Sequence, residues 1–177
     1  MLITAYELKQ NYPEFAEIDD GLLFRKLAVI ETAIRKHTNN KFQNELIRFN
    51  ASIENGVIKA TSPYLHVGDT IEISKSINKG LYTISEIIEN TTKTTENIYD
   101  CQDNLITKIE YPTDIIEGAI GLLNWELLQG GKEKSGVASE TISRHSVSYV
   151  QRTGDNMISG YPVELFNFCD DYMVIRT

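Results

Sequence analysis

The sequence predicts an α+β protein, a small helical bundle with an inserted all-β subdomain (a small barrel or sandwich) and a long strand-forming arm. Apolar residues recur at helical spacing near both ends of the chain, and they alternate at every second position between those ends. The composition, 41% hydrophobic and 24% charged residues in a chain of 177, is typical of one or two folded domains.

Two helices are predicted near the beginning of the chain. Thr4 and Glu7 have the spacing of a capping box, which favours a short helix directly after them. The second helix is predicted over residues 19–38 and ends at Asn39. Its buried face is predicted to contain Leu23, Leu27, Ile30 and Ile34, widened by Leu22, Val29 and Ala33.

Residues 45–111 are predicted to form five or six short strands. Asn55-Gly56 is the commonest dipeptide of a type I′ hairpin turn, so the strands on either side of it are expected to pair. Further strands are predicted at Thr70–Ser74, Leu81–Ile87, Thr95–Cys101 and Leu105–Tyr111. A separate core is expected from an alternating apolar set that includes Ile47, Phe49, Ile71, Ile73, Tyr82 and Ile84.

The last third of the chain returns to helical spacing. A helix is predicted over residues 114–129, and Asp114 stands where a capping residue is expected. The polar segment 132–160 has no helical period, but Thr141–Val150 within it alternates and is rich in β-branched residues. Such a strand is expected to need a partner, from another chain if its own offers none. A final helix is predicted to start at Tyr161-Pro162.

These elements predict a division of the chain into two parts. The helices at 19–38 and 114–129 are expected to pack on each other, so residues 1–44 and 112–177 would form one helical core that includes the arm, 132–160. Residues 45–111 would then be an inserted β subdomain. The alternative is a single α+β domain in which the strands share the core of the helices.

No pattern in the sequence is typical of a catalytic, cofactor-binding or metal site. The histidines, His37, His66 and His145, lie far apart and outside the usual metal-ligand spacings. The segment Gly130–Ser135 departs from the phosphate-binding loop, and no G-x-S-x-G motif is present. We therefore expect a protein that is not an enzyme and has no cofactor.

The net charge and the apolar runs bear on the partners of the chain. Residues 45–111 contain ten acidic and six basic side chains, within a total charge of −8, and no segment forms a basic patch. Binding of nucleic acid through phosphate neutralisation is therefore disfavoured.

No apolar run approaches the roughly 18 residues that span a bilayer, and the first residues do not match a signal peptide.

Several segments together resemble the head–tail connector proteins of tailed bacteriophages, which are also called adaptor or head-completion proteins. The segment that bears most on this resemblance is Lys134–Tyr149, with its Ser139-Glu140-Thr141-Ile142-Ser143 run. The other segments are Ile34–Phe42, Tyr111–Ile115 and Gly160–Leu165. The stretch Gly68–Ile84 resembles the β-insert of longer members from phages of Gram-positive hosts.

The resemblance implies a structural virion protein at the head–tail interface, made in the host cytoplasm. It would form a ring of about twelve copies beneath the portal protein and bind the next connector or tail-completion protein. DNA would pass through the ring's channel without specific binding. The resemblance further implies an arm that contacts a neighbouring subunit or the portal through Ser139, Glu140, Ile142, Arg144, Val147 and Tyr149, and a partner-facing C-terminal helix with Tyr161, Pro162, Phe166 and Tyr172.

One departure and two alternatives stand beside this interpretation. Many relatives are shorter and lack the insert, so no role for residues 45–111 is implied. The first alternative is a nucleic-acid-binding module built on the small barrel, which the charge of the insert disfavours. The second is a small enzyme whose site follows no recognised pattern.

Overall fold

The computed structural model describes residues 2–129, 139–142, 145–148 and 157–175. Its helices are α1 (Ala5–Asn11), α2 (Asp20–Thr38) and α3 (Thr113–Asn124), with 3₁₀ helices at Pro13–Phe15 and Val163–Tyr172 and a π-helical turn at Trp125–Gln129. Its strands are β1 (Gln43–Glu54), β2 (Val57–Ile58), β3 (Thr70–Ser74), β4 (Gly80–Ile88), β5 (Thr91–Thr94), β6 (Cys101–Ile109), β7 (Ser139–Ile142), β8 (His145–Ser148), β9 (Met157–Ile158) and β10 (Tyr161–Pro162). The predicted α+β class is confirmed.

The chain divides into two compact units. The barrel unit contains Met1–Asp20 and Lys41–Pro112, and the helical unit contains Gly21–Asn40 and Thr113–Thr177. The sequence predicts the first 44 residues in the helical core, whereas the structure groups the first 20 with the strands. Helix α1 has seven residues and buries only Leu8, so it is too short to supply a packing face for a bundle.

The barrel unit is an antiparallel sheet of six strands in the order β1-β2-β5-β4-β3-β6, which closes because β6 also pairs with β1. The closure is uneven, since β2 and β5 are joined by the single residue pair Ile58↔Thr92. The predicted hairpin at Asn55-Gly56 is confirmed, because both residues have positive φ, 54° and 69°, and Ile53 pairs with Ile58 across them.

The core of the barrel unit is largely aliphatic. The six core residues named from the sequence all belong to it. Its buried members are Ala51, Ile53, Ile58, Leu65, Ile71, Ile73, Ile84, Ile98 and Ile106, with Ile47, Phe49, Ala60, Tyr82 and Ile87 packed against them.

One of the predicted strands is misplaced. The sequence predicts a strand at Thr95–Cys101, but the structure has β5 at Thr91–Thr94 because the chain already turns at Glu89, whose φ is 49°. The sequence predicts a turn at Asp103-Asn104, between the last two strands. In the structure both residues lie inside β6, where Asn104 is fully buried. Its side-chain amide donates to the carbonyl oxygens of Ala51 at 3.1 Å and Cys101 at 2.9 Å.

The two long helices of the helical unit differ from expectation in detail. The four residues of the predicted face of α2 are completely buried, but Val29 is 53% exposed and does not widen that face. Helix α2 ends where predicted, with Asn39 in the left-handed region at φ 51°. Helix α3 begins at Thr113, so Asp114 lies within its first turn and is not the capping residue.

The C-terminal segment starts with a hairpin instead of the predicted helix. Strands β9 and β10 pair around Ser159 and Gly160, both of which have positive φ, 51° and 94°. The helix that follows is a 3₁₀ helix of ten residues, Val163–Tyr172. Its type and start therefore differ from the prediction, since Tyr161 and Pro162 belong to the hairpin.

Candidate assembly site

The arm contains a β-hairpin. Strands β7 and β8 pair antiparallel, from Ser139↔Ser148 to Ile142↔His145. The predicted strand-forming arm is confirmed, but the partner of the strand that the sequence indicates within Thr141–Val150 comes from the same chain, since β7 pairs with β8. Of the predicted contact residues, Ser139, Glu140 and Ile142 lie on β7 and Val147 on β8, while Arg144 and Tyr149 lie outside the described residues.

The hairpin differs from the barrel in its edges. Every strand of the closed barrel has a neighbour on both sides. The sheet of β7 and β8 has only these two strands, so within the described part of the chain each of them has one side without a strand neighbour. Strand edges of this kind pair readily with strands of other chains.

The base of the arm contains a connected group of polar side chains. The arm, residues 132–160, lies between the π-helical turn at Trp125–Gln129 and β10. The hydroxyl of Tyr161 donates to Oε2 of Glu126 at 2.6 Å, and Nζ of Lys26 donates to Oε1 of the same carboxylate at 2.5 Å. The rings of Trp125 and Tyr161 lie 5.7 Å apart.

The environment of Tyr161 keeps its hydroxyl protonated. The side chain is buried, and burial raises the pKa of Tyr161 above its ordinary value of 10.0, with a further contribution from the hydrogen bond to Glu126. The hydroxyl is therefore a donor throughout the neutral pH range. Because its acceptor is a carboxylate, the hydrogen bond belongs to the stronger, charge-assisted class.

Two residues predicted to face a partner are buried instead. Tyr161 is 3% exposed and Phe166 is 1% exposed. The ring of Phe166 lies 5.2 Å from the ring of His37, edge to face, and stacks at 6.2 Å on that of Phe168. Phe166 therefore belongs to the core of the helical unit, because an aromatic ring gains most free energy where it is removed from water.

The other two residues of this prediction retain some exposure. Pro162 is half-buried in β10 and precedes the 3₁₀ helix. The hydroxyl of Tyr172 contacts both carboxylate oxygens of Asp114 at 2.8 Å, and this hydrogen bond raises the pKa of Tyr172. Tyr172 therefore joins the end of the 3₁₀ helix to the start of α3.

The C-terminal segment also carries exposed apolar residues. Met173, Val174 and Ile175 form an extended run after the 3₁₀ helix, and Ile175 is 87% exposed. The sequence places Met173 at the helical spacing of the final predicted helix and gives no expectation for Val174 and Ile175. The signal that could have identified all three is the apolar tripeptide that follows Tyr172, at the end of the helical spacing.

The surface of the barrel unit carries paired charges. Lys93 contacts Glu86 at 2.6 Å, and Lys108 contacts Asp69 at 2.9 Å. These ammonium groups are already neutralised by carboxylates, so they offer little to a phosphate. Exposed apolar side chains of the same unit include Tyr64, Val67, Ile77 and Tyr99.

Within the described residues, no group of His, Cys, Asp and Glu side chains could hold a metal ion. Cys101 is half-buried and Cys169 is buried, and both are free thiols. Among the helices that the structure describes, none combines the length and the apolar character needed to cross a membrane.

Comparison of the chain with models of known protein families gives no match, and comparison with curated proteins gives none either.

Proposed function

We propose that this chain is a structural virion protein of a tailed bacteriophage, a head–tail connector subunit. Copies would form a ring, of about twelve subunits, beneath the portal and would bind the next connector protein on the opposite face. DNA leaving the head would pass through the channel without being bound specifically.

The observation that carries the proposal is the arm hairpin at Ser139–Ser148. An isolated two-stranded hairpin is marginally stable in water, so strands in this arrangement gain most by adding to another sheet. Addition of a strand from a neighbouring subunit or from the portal would supply that stabilisation through main-chain hydrogen bonds. The hairpin lies in the same segment that resembles the phage connectors most closely.

The charge of the chain is a second argument. A net charge of −8 repels the phosphate backbone, which suits a channel through which DNA must move without being held. The lysines paired with Glu86 and Asp69 reduce the number of free cations on the barrel unit. These features disfavour the alternative of a nucleic-acid-binding module.

Electron microscopy of the purified protein mixed with the portal of its own phage tests the proposal. We expect a second ring stacked on the portal, and we expect a variant that lacks residues 134–156 to remain folded but to form no such ring. Circular dichroism of the variant verifies its folding. A deletion variant that still joined the portal normally would refute the role of the arm.

Fluorescence anisotropy with labelled duplex DNA tests the alternative. We expect binding weaker than the non-specific range of about 10⁻⁴ to 10⁻⁶ M that proteins with several phosphate contacts reach at physiological salt. Micromolar binding that weakens steeply with added salt would favour the nucleic-acid-binding module instead.

A further inference from the structure

The turn between β1 and β2 contains a dipeptide that is chemically reactive. Asn55-Gly56 is the only Asn-Gly dipeptide in the sequence, and the side chain of Asn55 is exposed to water. In such a dipeptide the main-chain nitrogen of the glycine can attack the side-chain amide carbon of the asparagine, because glycine has no side chain that would hinder the approach. The turn therefore contains both groups of a deamidation reaction.

The reaction at this dipeptide has two steps and needs only water. The nitrogen of Gly56 loses its proton and forms a bond to Cγ of Asn55. The bond between Cγ and the side-chain nitrogen breaks, so ammonia leaves and a five-membered succinimide ring remains. Water then adds to either carbonyl group of the ring and opens it to aspartate or isoaspartate. No step changes an oxidation state, so no oxidant or reductant is required.

The nucleophile of this reaction is held by a carboxylate from another loop. The main-chain N–H of Gly56 donates to Oδ1 of Asp100 at 3.0 Å, and Asp100 directly precedes β6, 44 positions along the chain. This hydrogen bond belongs to the charge-assisted class. It also opposes loss of the proton, because the amide anion that would form would lie beside a negative charge.

A carboxylate beside an N–H group could instead act as a base, so the basicity of Asp100 matters. The main-chain N–H groups of Gly56 and Asn55 donate to Asp100 and hold its pKa below the ordinary value of 3.8. Such a carboxylate is a weak base, and it is ionised throughout the neutral range. Asp100 therefore restrains the nitrogen of Gly56 and does not activate it.

The turn also lies beside the weakest part of the barrel. Strand β2 has two residues and is joined to β5 by the single pair Ile58↔Thr92. Isoaspartate would lengthen the main chain of the turn by one methylene group, and either product would place a second negative charge near Asp100. Both changes would disturb the pairing of β1 with β2, on which the closure of the barrel depends.

We infer that Asn55-Gly56 is a deamidation site of the barrel unit, and that Asp100 keeps the reaction slow in the folded protein by accepting the hydrogen bond from Gly56. This inference goes beyond the proposed function, because it concerns the chemistry of a single chain and is tested without the portal. Its failure would leave the connector function untouched.

Peptide mapping by mass spectrometry after incubation at mildly alkaline pH measures the rate at which Asn55 is converted to aspartate and isoaspartate. We expect Asp100→Ala to deamidate about tenfold faster than the parent or more, the effect of losing one hydrogen bond to a charged group. Asp103→Ala removes an exposed carboxylate of β6 but keeps the bond to Gly56, and we expect it to react at the parent rate. An equal or slower rate in Asp100→Ala would overturn the inference.

A second comparison separates the hydrogen bond from a general loss of structure. In concentrated urea we expect the parent, Asp100→Ala and Asp103→Ala to deamidate at one common rate, because the folded turn is lost in all three. A difference that persisted in urea would contradict the role of the folded turn.

Circular dichroism verifies that each variant is folded in buffer. If Asp100→Ala does not fold, Asp100→Asn takes its place, because its amide oxygen is a weaker, uncharged acceptor. We expect Asp100→Asn to react several-fold faster than the parent, and a rate equal to that of the parent would overturn the inference.

Discussion

The main-chain N–H of Val174 donates a hydrogen bond of 2.8 Å to the carbonyl oxygen of Thr38, the last residue of α2. A helix leaves its last four carbonyl groups without partners inside the helix, and this bond satisfies one of them. The side chain of Asn39 in turn donates to the carbonyl oxygen of Val174 at 3.2 Å. The two bonds attach the C-terminal segment to the end of α2.

Truncation of the C-terminal segment tests this attachment. We expect a chain that ends at Met173 to lose about 1–2 kcal/mol of unfolding free energy in urea titrations, because the carbonyl group of the buried Thr38 loses its donor. A chain that ends at Ile175 keeps both hydrogen bonds and is the matched control. Equal stability of the two truncated chains would show that the bond contributes nothing.

Two glycines of α3 are expected to respond to alanine in opposite ways. A Cβ added at Gly118 would clash with the ring of Phe168, including the ring atom next to the Cβ of Phe168, so the ring cannot simply rotate away. We expect Gly118→Ala to destabilise the protein by about 1–3 kcal/mol through overpacking. No atom of the described residues lies within 4 Å of a Cβ at Gly121, so Gly121→Ala is expected to stabilise α3 by up to about 1 kcal/mol. Thermal or urea unfolding measures both, and a neutral Gly118→Ala would contradict the prediction.

The buried thiol of Cys169 makes stability depend on alkaline pH. Burial raises the pKa of Cys169 from 9.0 to about 12, with smaller contributions from the carboxylates of Asp170 and Asp114. Between these values the folded protein retains a proton that the unfolded chain has lost, so the thiol's contribution is complete below pH 9 and is lost as the pH rises to 12. We expect the titration of this thiol to lower the unfolding free energy by about 1.4 kcal/mol per pH unit between these two pH values.

Urea unfolding at several alkaline pH values measures this dependence. Tyr161 contributes in the same direction, since its pKa is also raised, so the loss in the parent protein should exceed that of one group. We expect Cys169→Ala to lose stability less steeply with rising pH than the parent. Parallel curves for the two proteins would contradict the assignment to Cys169.

The buried amide of Asn104 is expected to be essential to the barrel unit. Asn104→Ala would leave the carbonyl oxygens of Ala51 and Cys101 without these donors, and each unsatisfied buried group costs about 1–3 kcal/mol. We therefore expect Asn104→Ala to lose at least about 2 kcal/mol of unfolding free energy. The control Asn50→Ala, at an exposed position of β1, is expected to lose ~0.5 kcal/mol or less. Chemical denaturation followed by far-UV circular dichroism measures both variants.

The features that could be predicted from the sequence depend on interactions between residues close together in the chain. The capping box is present, with Glu7 N donating to Thr4 Oγ1 at 3.1 Å and Thr4 N donating to Glu7 Oε2 at 3.1 Å. The left-handed turn at Asn55-Gly56 is another such feature. In both cases the free energy comes from groups a few residues apart, so the local pattern is sufficient.

Two features were less predictable: a buried amide of the barrel unit, which depends on residues far apart in the chain, and the strand pairing within the arm at the candidate site. Asn104 is typical of a turn, yet the carbonyl group of Ala51, 53 positions away, satisfies its amide inside the barrel unit. The alternating arm indicates strands in the sequence, but only the pairing of β7 with β8 identifies it as a hairpin.

The sequence by itself determined the α+β class, the face of α2 and the apolar core of the barrel unit, because the period of apolar residues decides which side of an element is removed from water. Only the tertiary structure decided that Tyr161 and Phe166 are buried rather than partner-facing, and that Glu126 accepts from both Lys26 and Tyr161. Burial and ion pairing depend on which distant segments meet in space, and no local spacing of residues encodes that meeting.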